Sequence, residues 1–183
     1  AIAAGLSYFG QTLRVDEATT STGHVQIGGA FTLTDGHNTV TEQILNGHLS
    51  LVNFGFTHCP DICPTTLAYM ANLHQGLPPQ VQQRLKMFFI TLDPARDTPA
   101  RLKEYLDAWP GQFTGLTGTP AQIKQAADAY LVYYAAQPAD AEGRYNVDHS
   151  SYIFLMGPDG RYLTHFSHHT PLAEAQTRLV AAA

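Results

Sequence analysis

Leu49-Ser50-Leu51-Val52-Asn53-Phe54-Gly55-Phe56-Thr57-His58-Cys59-Pro60-Asp61-Ile62-Cys63-Pro64 is the stretch on which the reading of this 183-residue chain turns. It opens as a short apolar run of buried-strand type and ends directly at the cysteines. Beyond Pro64, Leu67, Met70, Ala71 and His74 recur at helical spacing until Gly76 and Pro78-Pro79 stop the pattern. The cysteines therefore sit where a buried strand meets a helix N-terminus. Pro60 and Pro64 suit a first helical turn and not a helix interior.

The same alternation continues outward. Met87-Phe88-Phe89-Ile90-Thr91-Leu92 reads as a second buried strand closed by Asp93-Pro94, and Thr98-Pro99 as the N-cap and N1 of a helix whose apolar face is Leu102, Tyr105, Leu106 and Trp109. A third helix follows Pro120 with Ile123, Ala126, Ala127 and Tyr130 inward, and Leu131 to Tyr134 reads as the strand after it. Tyr152 to Met156, the turn Gly157-Pro158-Asp159-Gly160 and Arg161 to Phe166 form a hairpin, followed by an amphipathic helix from about Pro171. Toward the N-terminus, Val25, Ile27, Phe31 and Leu33 alternate around Gly28-Gly29 as a β-hairpin. Residues 1–23, with Ala18-Thr19-Thr20-Ser21-Thr22-Gly23, read as a flexible lead-in. With no repeat and no wide Pro/Gly-rich break, residues 24–183 are predicted to be one α/β domain. Such sheets place their ligands at the carboxyl ends of parallel strands. Cys59 follows the first of those strands and Asp93 ends the second.

Composition narrows the chemistry. Ten Lys+Arg against 15 Asp+Glu give a net charge of −5, and no basic run exists to neutralise phosphates, so nucleic acid is excluded as a partner. No stretch approaches the ~18–20 consecutive apolar residues of a spanning helix, and the expectation is a monomeric soluble domain. The chain begins at Ala1 rather than Met, as one trimmed behind a membrane anchor or signal would. Two cysteines exclude a disulfide-dense scaffold and a four-cysteine zinc site.

Cys59 and Cys63 form an i,i+4 pair, which on a helical turn brings Cβ atoms to about 5–6 Å. That is close enough for two sulfurs to clasp one ion or, after adjustment, to form a disulfide. The positive end of the helix favours thiolate. A structural disulfide is the less apt reading, because so short a loop barely constrains the unfolded chain. Thiol–disulfide exchange and metal binding remain, although the usual redox motif has two intervening residues, not three.

Two thiolates alone can hold a linear cuprous ion, and a higher-coordinate site needs another ligand. Of nine histidines, His149 in Val147-Asp148-His149-Ser150 is best placed, just before the strongest late strand, where a loop can fold back over the sheet; a surface loop histidine reads as well. Asp148 is a candidate to orient its ring. Asp93 is an auxiliary candidate for a thiol or a cation, and Asp97 reads as support for the helix start. His58 is at most a modulator of the thiols. His165, His168 and His169 read first as a polar loop, with a second metal site as the alternative.

The cysteine stretch, Thr91-Leu92-Asp93-Pro94-Ala95-Arg96-Asp97-Thr98-Pro99, Gly115-Leu116-Thr117-Gly118 and Val147-Asp148-His149-Ser150 together resemble the Sco/SenC family of copper proteins, in order from about Gly28 to Val180. The resemblance implies a thioredoxin-like fold, here with an N-terminal β-hairpin extension and an inserted hairpin in the C-terminal half. It implies that copper, as Cu(I), Cu(II) or both, is bound by Cys59, Cys63 and His149. It further implies a metallochaperone that assembles the CuA site of cytochrome c oxidase subunit II, by copper delivery, by thiol reduction, or by both. Implied partners are subunit II, another periplasmic copper chaperone and a thioredoxin-like reductant. The implied location is the periplasm, on an inner-membrane tether absent from this chain. The competing reading is a thiol–disulfide oxidoreductase using Cys59 and Cys63 as its redox-active pair without obligatory copper. A thiol peroxidase fits less well, because the threonine such enzymes keep three residues before the reactive cysteine is here Phe56.

Overall fold

The structure, a computed structural model, describes residues 26–183. The lead-in expected over residues 1–23, and His24 and Val25 of the expected hairpin, lie outside them. The elements run β1 (Thr32–Thr34), β2 (Thr39–Thr41), a 3-10 turn (Glu42–Leu45), β3 (Leu49–Gly55), α1 (Ile62–Gln75), α2 (Pro79–Gln82), β4 (Leu85–Thr91), α3 (Pro99–Asp107), β5 (Phe113–Leu116), α4 (Pro120–Ala129), β6 (Tyr134–Ala136), β7 (Val147–His149), β8 (Ile153–Met156), β9 (Tyr162–Phe166) and α5 (Leu172–Ala182).

The central sheet has the order β5-β4-β3-β8-β9. β3, β4 and β5 are parallel, and β8 and β9 complete it antiparallel. Every residue of β3 is buried, as a strand covered on both faces must be. Its alternation divides the core. Val52 and Phe54, with Phe88, Ile90 and Phe154, pack against Ile123, Ala126, Ala127 and Tyr130 of α4 and against Phe31 and Leu33. Leu49 and Leu51, with Met87, Ile153 and Leu155, pack against Met70 and Leu73 of α1 and Ala175 and Leu179 of α5. Phe89 meets Leu67 of α1 and Leu102 and Leu106 of α3. The α/β domain read from the sequence is thus present, with helices on both sheet faces.

Three local readings change. The N-terminal hairpin turns at Asp35-Gly36-His37-Asn38, not at Gly28-Gly29. The Asp35 carboxylate accepts from the backbone N–H of His37 (2.8 Å) and Asn38 (2.7 Å), and Gly36 adopts φ +95°. An Asp-Gly pair is the stronger hairpin signal. Residues Leu131 to Tyr133 are not strand. They end α4, with Val132 N–H donating to Ala127 O (2.8 Å) and Leu131 N–H to Asp128 O (3.1 Å), while Leu131 takes φ +55°. Strand begins only at Tyr134, and it pairs with β7 outside the central sheet. On α1, Leu73 rather than His74 joins the buried face.

The carboxyl ends of β3 and β4 lie side by side, with Gly55 opposite Thr91. A buried carboxylate ties the loop that leaves β3 to this end of the sheet. Asp97, fully buried just before α3, accepts from Thr57 N–H (3.0 Å), Thr57 Oγ1–H (2.7 Å) and Thr91 Oγ1–H (2.7 Å). Arg101 Nε–H donates to Thr57 Oγ1 (3.3 Å) from α3. Asp97→Ala removes the acceptor of three buried donors and is expected to lower the unfolding free energy by about 3 kcal/mol. Urea unfolding with an unchanged slope reads that loss, and Asp97→Asn, which keeps one acceptor oxygen, loses less.

Candidate metal centre

Cys59 lies in the tied loop, and Cys63 is the second residue of α1, which begins at Ile62. Cys63 N–H, one of the first-turn donors without an intrahelical partner, donates to Cys59 Sγ (3.4 Å). The Cys63 sulfur rests on the end of β3, where a Cβ at Gly55 would stand 2.8 Å from it and 2.9 Å from the Phe89 ring. Glycine at 55 is therefore what admits the sulfur. Both cysteines are free thiols and both are buried.

His149 arrives from the other side. It is the last residue of β7, opposite Tyr134 of β6, so it sits on a two-stranded ribbon and not in the loop expected from the sequence. Its Nε2 is 3.6 Å from Cys63 Sγ. Its Nδ1 is 2.9 Å from Ser150 O, an acceptor, which fixes the proton on Nδ1 and leaves the Nε2 lone pair directed at the sulfurs. The Phe56 ring meets the imidazole edge-on at a centroid distance of 5.9 Å. Asp148, expected to orient this ring, does not: strand alternation turns its side chain away, where it accepts from Gln137 Nε2.

Asp93 is buried but is not directed to the thiols. Its carboxylate accepts from Arg96 Nε and from Tyr145 OH (2.8 Å). The Arg96 guanidinium in turn lies 3.6 Å from the centroid of the Tyr145 ring and donates to Tyr145 O (3.0 Å). Asp93 and Arg96 together clamp the backbone two residues before β7 onto the end of β4, which positions the ribbon. Sequence reasoning missed Arg96 and Tyr145 and undervalued Asp97. Their signal was the spacing Asp93, Arg96, Asp97 directly after a buried strand, where charged side chains must find partners.

The ligand atoms of Cys59, Cys63 and His149 all lie within 4.8 Å of one another, and among the described residues this is the one group of three such side chains so gathered. Donors bonded to a single ion stand about 2.0–2.3 Å from it and hence up to about 4.5 Å apart. Small side-chain rotations close the set on an ion. Two sulfurs and one imidazole suit cuprous copper. The Cys63 S–H donated to the Cys59 sulfur holds the Cys59 thiol well below the ordinary thiol range. The same donation, reinforced by burial, pushes the Cys63 thiol up. Cys59, which also accepts the Cys63 N–H, is therefore the more acidic thiol of the pair, and it faces a cleft of about 330 Å³ between Cys59 to Ile62 on one wall and Asn146 to His149 on the other. A larger groove, of about 890 Å³ between β9 and α5, carries Arg178 but no thiol and no imidazole. His58 points to Thr57 Oγ1 (3.1 Å) and Asp97, away from the set. The histidine trio is divided: His165 lies on β9 with its Nδ1 2.6 Å from Tyr162 OH, while His168 and His169 follow the strand.

The SCO1/SenC family model matches residues 19–183. The SCO2-like protein RP587 of Rickettsia prowazekii is 43% identical over 146 residues, covering 78% of this chain and 70% of that protein. Mitochondrial SCO1 of Saccharomyces cerevisiae is 40% identical over 172 residues, covering 89% of this chain and 58% of that one. Among solved structures, Bradyrhizobium japonicum ScoI with copper bound superposes with a TM-score of 0.78 at 37% identity, covering 86% of this chain and 99% of that one. Yeast Sco1 with copper bound gives 0.79 at 37% identity, covering 85% and 87%. The sheet order, the three gathered ligands and a family match over nearly the whole chain lead to one assignment: the chain belongs to the SCO1/SenC family.

Proposed function

We propose that this chain is a copper-binding chaperone of cytochrome c oxidase assembly, with copper as its cargo, held by Cys59, Cys63 and His149 and passed to the CuA site of subunit II by ligand exchange. The observation that carries the reading is the convergence of two sulfurs and an Nε2 lone pair, from segments 86 residues apart, within 4.8 Å. Copper-bound relatives of this fold at 37% identity support it. The two walls of the cleft make different contributions. Cys63 is sealed against β3, whereas His149 is only half-buried, so an incoming thiolate reaches the imidazole's position first. On this reading His149 is the ligand exchanged, and its ribbon, pinned through Tyr145, sets how readily it leaves. Another periplasmic copper chaperone is the proposed copper source.

A second reading rests on the cysteines themselves. Both are free and their sulfurs are already gathered, and BsSco, described as a Sco-family protein with a disulfide switch, shares the fold at 26% identity with a TM-score of 0.65. In that role Cys59 thiolate attacks a disulfide of the oxidised subunit. Cys63 then displaces the mixed disulfide, leaving a Cys59–Cys63 disulfide and two reduced thiols on the subunit. A thioredoxin-like dithiol returns the pair to the reduced state. Phe56, whose ring supports His149, gives the pair no hydroxyl of the kind a thiol peroxidase would use.

The proposed location is the periplasm, on a tether to the inner membrane, by analogy with the bacterial and mitochondrial relatives. Among the described residues no helix is long and apolar enough to cross a membrane.

Anaerobic titration of the reduced chain with copper in both valences, read by optical and paramagnetic-resonance spectra, is expected to show one ion per chain. His149→Ala is expected to lose at least about tenfold in affinity, as loss of even a supporting partner does. Unchanged affinity and spectra in that variant would sink the three-ligand site. Tyr145→Phe, which removes only the hydroxyl held by Asp93, is expected to weaken copper binding by up to about tenfold while leaving the rate of thiol alkylation unchanged. For the thiol reading, Cys59 is expected to be alkylated before Cys63 near neutral pH, as mass mapping of partly modified chains would report.

A further inference from the structure

The histidine pair at the end of β9 is left without a role by the thiol centre. β9 runs antiparallel to β8, which runs antiparallel to β3, and the register sets Asn53, Ile153 and Phe166 in one row. Ser167 to Thr170 therefore leave the sheet at the same end as the cysteine loop, two strands away. The segment is a hydrogen-bonded turn: Thr170 N–H donates to Ser167 O (2.9 Å), Ser167 N–H to Thr170 Oγ1 (3.1 Å) and His169 N–H to Ser167 Oγ (3.2 Å).

That turn holds the rings of His168 and His169 with centroids 3.9 Å apart and planes inclined at 47°. His168 Nδ1 is buried and has no hydrogen-bond partner. Burial and the neighbouring His169 hold the His168 imidazole below the ordinary histidine range, with Asp61 opposing them. Asp61 also lines the thiol cleft. The tilted contact between the rings gives His168 Nδ1 no hydrogen bond, and an unpartnered buried nitrogen carries a cost that a ligand would remove.

We propose that His168 and His169 form a second metal site beside the thiol centre, a two-imidazole seat for a cupric ion whose remaining positions are filled by water on the side of the exposed His169. Nitrogen donors with water oxygens suit Cu(II), which binds such sites more tightly than the other divalent first-row ions, whereas the thiol centre suits Cu(I). The two sites thus differ in the valence they take. His165, engaged by Tyr162 and packed against Tyr152, is not part of the seat.

The test uses the chain carrying Cys59→Ser, Cys63→Ser and His149→Ala, which removes the thiol centre whatever its function. Titration with cupric ion, read by paramagnetic resonance, is expected to yield one species with nitrogen hyperfine structure. That species is expected to disappear when His168→Ala or His169→Ala is added and to persist with His165→Ala. A paired variant, His168→Gln with His169→Gln, keeps polar side chains in the turn and is expected to lose the signal with its circular dichroism unchanged. A cupric species indifferent to all these changes, or no cupric binding in the parent variant, would overturn the proposal. Neither result bears on the thiol centre, which the wild-type cuprous titration tests separately.

Discussion

The carboxylate of Asp97 is the contact on which the rest of the site depends. A loop leaving a buried strand carries backbone donors that water cannot reach, and an unpaired buried donor is expensive. Asp97 accepts the Thr57 N–H and the hydroxyls of Thr57 and Thr91, so one group welds the β3 loop, the end of β4 and the start of α3. The position of Cys59 follows from that weld, and the position of Cys63 from the helix that begins three residues later, at Ile62. The glycine at 55 then lets the Cys63 sulfur settle on the strand end.

The second wall is built on a separate ribbon that packs Val147 into the same core as Phe56 and the two cysteines. The β6–β7 ribbon pairs with itself rather than with the central sheet, and Asp93 with Arg96 fastens its approach through Tyr145. Phe56 and Ser150 O then set the plane and the tautomer of His149. The thiols are thereby rooted in the sheet, while the imidazole is carried on a satellite. The proposed delivery role would use that asymmetry: two ligands that retain the ion, and one whose release permits transfer.

Much of this was legible in one dimension, for identifiable reasons. Buried runs at Leu49 to Phe56 and Met87 to Leu92, the Thr98-Pro99 and Pro120 helix starts, and the Gly157 to Gly160 turn all carry strong local signals, and each forms the element expected. Short elements were less legible. β5 reads Phe-Thr-Gly-Leu, too small and too glycine-interrupted to announce a strand, and β7 has three residues, one of them charged. The N-terminal hairpin turns at Asp35-Gly36 rather than at Gly28-Gly29, because the Asp35 carboxylate caps the backbone N–H groups of His37 and Asn38. Leu131 stands where glycine usually ends a helix, so the end of α4 looked like the start of a strand.

The amino-acid sequence by itself determined half of the centre: two cysteines one helical turn apart at a strand–helix junction, with His149 as a candidate third ligand. Spacing suffices for such pairs because they lie within one turn of backbone. Tertiary structure alone decided which carboxylate serves the cysteine loop, what orients His149, and that His168 and His169 part from His165. The first two depend on contacts between segments far apart in the chain, Thr57 with Asp97, Asp93 with Tyr145 and Phe56 with His149, and the third on the side-chain partners that His165 finds in Tyr162 and Tyr152. No local periodicity encodes contacts that chain folding must first bring together.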